Sequence, residues 1–182
     1  MNTITSRQLL DFWFNEIDQR LWFEKDESFD ELLRQRFGAL HAAAAKGELY
    51  GWRQTLDGRL AEIIVLDQFS RNLYRNGARA FTCDGMALVL TQEAITHCDP
   101  AQLPPERRAF LYMPLMHSES LLIHDEALRR FAEPGLEDNL RFEHLHRQII
   151  VRFGRYPHRN AALGRQSTPE ELVFLQEPGS SF

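Results

Sequence analysis

Two short segments carry side chains that could bind or transform a substrate. Arg152-Phe153-Gly154-Arg155-Tyr156-Pro157-His158-Arg159-Asn160 sets three arginines, a histidine and an asparagine around a helix stop that needs only its Gly and Pro. Asp67-Gln68-Phe69-Ser70-Arg71-Asn72-Leu73-Tyr74-Arg75 has the same Arg/Asn/aromatic character. Guanidinium forks grip carboxylate or phosphate through two contacts, so the segments read as two walls of one polar site. Helical geometry adds polar residues on apolar faces. Asp67 shares a stripe with Leu60, Ile63, Ile64 and Tyr74, and Arg71, four residues on, can partner it. If Arg71 is buried and has no other partner, losing Asp67 would cost ~3–5 kcal/mol. Glu119 interrupts Leu115, Met116, Leu122 and Ile123, while His146 lies with Phe142, Ile149, Ile150 and Phe153. A core ion pair and a satisfied core histidine would explain Asp67 and His146 without any chemistry. Several such residues without local partners, however, need one another or a ligand.

Other chemistries find no support. On a regular helix His117 points roughly 200° away from Glu119, and His117 and His124 stand roughly 10 Å apart along the axis, too far to share an ion. No Cys/His spacing or His-Glu-x-x-His pattern occurs, so neither metal nor cofactor is expected. A Gly-rich phosphate loop, a Gly-x-Ser-x-Gly elbow and a dinucleotide fingerprint are missing, and no base is placed beside Ser118. Net charge is −5, which argues against nucleic acid. Residues 139–166 do hold six arginines against one acid, Glu143, but without an aromatic stacking platform. Lysine occurs only at Lys25 and Lys46, so positive charge is nearly all guanidinium. No apolar run approaches the ~20 residues that cross a bilayer, and the first residues lack the pattern of a secretory signal, which predicts a cytoplasmic protein. Cys83 and Cys98 are expected to be free, buried thiols in a reducing compartment.

The elements that must position these residues are helical throughout, about seven or eight in number, with strand signals nearly absent. Thr5 and Gln8 form a capping box before a helix from Leu9 to about Asn15. Trp22 and Phe23 are expected to plug the core, and a long helix follows from about Glu27 to Lys46. Asp57-Gly58 reads as a turn before a helix from about Arg59 to Arg75. Further helices cover about Asp84–His97 and Arg107–Phe131, the latter kinked or broken at Pro114. A helix over about Glu137–Phe153 ends at Gly154, and Thr168-Pro169-Glu170-Glu171 starts a short helix over about 168–176. The length suits a single domain over 1–182, its antiparallel helices packed as a bundle or αα superhelix with the last helix docked on it. Segment 177–182 offers no clue.

Several longer stretches resemble the bacterial domain-of-unknown-function 924 family. They are Asp11-Phe12-Trp13-Phe14, Trp22-Phe23, Leu66 through Asn72, Ala80 through Asp84, Pro114 through Glu119, His146 through Ile150, and Phe153 through Asn160 continuing into Leu163-Gly164-Arg165. The resemblance spans nearly the whole chain and implies a tetratricopeptide-like (TPR-like) all-α fold. It also implies a site of Asp67, Gln68, Arg71, Asn72, Asp84, His117, Glu119, His146, Arg152, Arg155, His158, Arg159 and Asn160. Ser70 stands where the family pattern has Pro, and His124 where it has Gln. Two functions stay open. One is a binding module whose arginines capture a small anionic molecule or peptide carboxylate. The other is a hydrolase or group-transfer enzyme with Asp67, Glu119 or His146 as general acid or base, His117 also among the catalytic candidates, and arginines stabilising negative charge. Oligomeric state is not encoded in these patterns.

Overall fold

The computed structural model describes residues 4–182, and every regular element among them is a helix. α1 (Ser6–Asp11) opens on the expected capping box, with Thr5 and Gln8 satisfying each other's backbone donors. It runs straight into a π-helical turn, Phe12–Glu16, whose wider winding brings three consecutive aromatics, Phe12, Trp13 and Phe14, into the core. α2 (Glu27–Ala44) is capped by Asp26 and followed by Gly47 at φ +76°.

Asp57-Gly58 is not a turn. Thr55 caps α3 (Leu56–Ile64) directly, so both residues lie in its first helical turn. A Cβ on Gly58 would stand 1.9 Å from the Trp52 carbonyl oxygen, so this glycine permits close approach rather than a bend. α3 continues through a second π-helical turn, Val65–Phe69, into α4 (Ser70–Leu73). α5 (Asp84–His97) and α6 (Pro105–Met116) follow, then α7 (Leu121–Phe131) and α8 (Glu137–Phe153), which ends on Gly154 at φ +70°. α9 (Pro169–Phe174) starts at the expected capping box of Thr168 and Glu171. Pro114 does not break its helix. α6 runs through it and ends at Met116, leaving residues 117–120 outside any helix.

α3 is central, packed by α1, α5 and α6, while α6, α7 and α8 pack each on the next. Trp13 sits among Trp22, Phe29, Phe69 and Phe110. Trp22 plugs the core as expected and donates Nε1–H to Trp13 O at 2.9 Å. Phe23 does not: it is 67% exposed and lies over Phe110. A second, smaller core of Ile149, Ile150, Tyr156 and Phe174 holds α9 against α8. Cys83 is buried and Cys98 half-buried, both as free thiols. Among the described residues no helix is long and apolar enough to cross a membrane.

Candidate functional site

The site grows from the end of α6. A helix leaves its last carbonyls without intrahelical partners, and here side chains from later elements take them up. Tyr156 donates its hydroxyl to Met116 O at 2.6 Å, Arg159 donates to His117 O at 2.9 Å, and His124 Nε2 meets Ser118 O at 2.8 Å. The first two contacts fasten the 154–160 loop to the end of α6 and carry a guanidinium to the negative end of the helix dipole, and the third ties α7 to the segment that follows α6.

His117 caps α6, and its Nδ1 lies 2.7 Å from Asp67 Oδ1. Asp67 comes from the π turn of 65–69 and is 1% exposed. Its other oxygen accepts from Gln68 Nε2 at 2.7 Å, and Arg71 stands 3.1 Å from Oδ1. Arg71 also clasps Asp84 at 2.9 and 3.1 Å, and Arg159 reaches the same carboxylate at 3.2 Å. Arg71 therefore keeps a carboxylate if Asp67 is removed, and the large penalty expected for orphaning it does not apply. Burial alone would raise the Asp67 carboxyl. The donors facing it, His117 and Arg71 foremost, outweigh burial and hold it well below the usual carboxylate range. Burial, then Arg71, lowers the His117 imidazole, which stays neutral. An ionised carboxylate can only accept, so Nδ1 carries the imidazole proton. Nε2 is then a bare lone pair, and among the described residues the His117 ring makes its side-chain hydrogen bond through Nδ1 alone.

A second network adjoins the first through the Tyr156 backbone. Glu119 accepts from Tyr156 N at 2.7 Å and from Arg165 at 2.7 and 2.9 Å. Arg165 bonds Asn160 Oδ1, Asn160 donates to Glu171, and Arg155 clasps Glu171 at 2.7 and 2.8 Å. The Arg155 bonds bring the Glu171 carboxyl down to about 2. Arg71, Arg155, Arg159 and Arg165 are thus matched by Asp67, Asp84, Glu119 and Glu171. Four guanidiniums facing four carboxylates make a neutral assembly, not a cationic cradle.

The aromatic side of the site is built on Tyr156, fully buried, with His146 5.8 Å and His158 5.6 Å from its ring. His146 Nδ1 donates to Phe142 O at 2.8 Å. Burial pushes His146 down to about 3 and His158 down to about 4, so both stay neutral.

Of the residues singled out in the sequence, Asp67, Gln68, Arg71, Asp84, His117 and Arg159 converge in the first network, Glu119, Arg155 and Asn160 in the second, and His146 and His158 beside Tyr156. Two lie apart. Asn72 donates to Asp30 at 2.8 Å, in an ion-pair cluster with Arg75, and Arg152 pairs with Glu170 on the surface at 3.0 Å. Phe142, expected beside His146 on a buried face, is 43% exposed. Sequence reasoning missed His124 and Glu143 as a pair, both with fully buried side chains at 2.6 Å. The signal was available, since Glu143 precedes His146 by three residues and so shares its helix face. It also missed Glu171, read only as a capping residue, and Arg165.

A hollow of about 660 Å³ opens nearby among Trp22, Phe23, Pro105, Phe110, Met113 and Asn139. Its wall meets the first network, because Met113 Sδ accepts from Gln68 Nε2 at 3.1 Å. Among the described residues no three His, Cys, Asp or Glu side chains are grouped to hold a metal ion.

A family model described as a bacterial protein of unknown function, DUF924, matches residues 9–179. The solved structure of a protein of unknown function, ATU0120, from Agrobacterium tumefaciens is similar, with 36% identity and a TM-score of 0.88 over 94% of this chain and 96% of that one. No curated protein matches the chain.

Proposed function

The chain belongs to the bacterial family of unknown function DUF924, and from that premise we propose that it is an enzyme of hydrolytic or group-transfer type in which His117, held by Asp67, acts as general base. One observation carries this: Asp67 Oδ1 takes the proton-bearing Nδ1 at 2.7 Å, which leaves Nε2 to accept a proton from water or a substrate hydroxyl. A buried carboxylate that fixes tautomer and ring orientation is what a general-base imidazole requires. Arg159, 6% exposed, has a buried Nε–H without a partner among the described residues, a donor suited to negative charge that develops during reaction. The hollow at Met113 offers room for a substrate one contact from Gln68 and two from Asp67. An anion-binding module would use the same arginines, and their matching carboxylates count against it. The family resemblance supports a TPR-like scaffold, and the free thiols of Cys83 and Cys98 support a cytoplasmic setting.

The test is turnover of a bacterial metabolite extract, followed by mass spectrometry, with wild type and His117→Gln. At least one metabolite should be consumed by wild type and spared by the variant, a loss of about 10²–10⁴ in rate. Because burial lowers the His117 imidazole, the acid limb of the rate profile should lie below the 6.5 of an ordinary histidine. Identical extracts after treatment with either protein sink the proposal.

A further inference from the structure

Phe182 is 52% exposed, yet its ring lies 3.7 Å from the His146 ring, the two planes 24° apart, and 6.2 Å from His158 at 74°. His146 stands nearly perpendicular to Tyr156, at 80°, and His158 lies 5.6 Å from the same ring, so Phe182 is seated between the two histidines with the buried Tyr156 ring packed against both. Little else holds it. The segment turns back at Gly179 (φ +77°) and is tied by Ser180 Oγ to Leu175 O at 3.2 Å, while no hydrogen bond from the described residues reaches residues 181 and 182. Phe182 also leaves the slot unsatisfied chemically. His158 Nδ1 is buried without a hydrogen-bond partner among the described residues, and a phenyl ring cannot supply one. A proton on His117 would disfavour protonation of both His146 and His158, which couples the slot to the proposed base.

We propose that the slot formed by His146 and His158 binds a planar aromatic ring bearing a polar substituent, and that Phe182 is a displaceable internal occupant of it. Ring stacking supplies the fit, and a hydroxyl or ring nitrogen supplies the missing partner of His158. The link to turnover rests on the role given to His117, whereas ring binding does not. A ligand must displace Phe182, and a single aromatic contact of this kind weakens apparent affinity by about 2- to 10-fold.

The experiment is an NMR titration with 4-fluorophenol as probe and fluorobenzene as the ring without a polar group, on wild type, Phe182→Ala and His117→Gln. Before any probe is added, Phe182→Ala should move the His146 Cε1–H signal downfield, since the stacked ring current is gone. 4-Fluorophenol should bind Phe182→Ala about 2- to 10-fold more tightly than wild type, return that signal upfield, and outbind fluorobenzene. Binding should be unchanged in His117→Gln, so a failure of the catalytic role and a failure of the slot give different results. Equal binding of 4-fluorophenol to wild type and Phe182→Ala, or binding that leaves the His146 signal in place, overturns the proposal.

Discussion

Glu143 and His124 meet at 2.6 Å with both side chains fully buried, and Glu143 Oε2 has no partner among the described residues. An ionised carboxylate with one bare oxygen is costly in such a place, and burial raises the Glu143 carboxyl. His124 Nε2 faces the Ser118 carbonyl, which can only accept, so Nε2 carries a proton, and a protonated Glu143 would donate to a bare Nδ1. With Glu143 in that form a neutral donor at position 143 is enough. Glu143→Gln should change unfolding free energy by less than about 1 kcal/mol, while Glu143→Ala, which strands the buried Nδ1, should cost about 1–3 kcal/mol. Urea denaturation of both variants checks this, and equal losses would mean that the pair is an ion pair. Asp67→Ala strands His117 Nδ1 and leaves Gln68 Nε2 only Met113 Sδ, but it keeps Arg71 on Asp84, so it too should cost about 1–3 kcal/mol rather than the penalty of an orphaned charge.

The elements do their positioning through departures from regular helix. The π turn at 65–69 inserts one residue's worth of extra winding, and through it Asp67 and Gln68 both stay buried between the helical turns on either side. The gap at 117–120 frees the carbonyls that Tyr156, Arg159 and His124 occupy. α9 is short, but its capping residue Glu171 also holds Arg155 and Asn160, so the cap and the loop over the site share one carboxylate. Elsewhere Gly58 lets the Tyr50–Gln54 turn approach α3 closely enough for Arg53 to clasp the buried Glu62 at 2.7 Å. Gly58→Ala should force that turn away and destabilise by about 1–3 kcal/mol. Thermal unfolding measures it, and an unchanged Tm would mean that the close contact is not needed.

For the whole molecule, buried neutral histidines set the response to acid. Unfolded histidine titrates near 6.5, and the folded values for His146 and His158 are pushed down to about 3 and about 4. Below pH 6.5 the unfolded chain binds protons that the folded chain refuses, so stability is full above 6.5 and declines as pH falls toward those lower values. Asp67, held low, stays ionised throughout this window, whereas the raised Glu143 carboxyl works the other way and offsets part of the loss. From pH 7.5 to 5.0, His146 alone should remove about 2 kcal/mol. Urea denaturation at both pH values, for wild type and His146→Phe, checks this, with a smaller drop expected in the variant. An equal drop would show that the sensitivity lies elsewhere.

Local rules were enough for much of this. Caps, helix stops and apolar stripes depend on residues three or four positions apart, so the chain alone determined an all-α protein, most helix limits, and the segments that carry Asp67, His117, His146 and Arg159. Partners were beyond it. Asp67 meets His117 across 50 positions, Arg159 meets Asp84 across 75, and Arg165 meets Glu119 across 46. Periodicity says which face a charge occupies, but only the packing of helices decides which opposite charge it finds there. Tertiary structure thus turned a set of arginines that looked free to grip an anion into a neutral, paired assembly around one oriented imidazole.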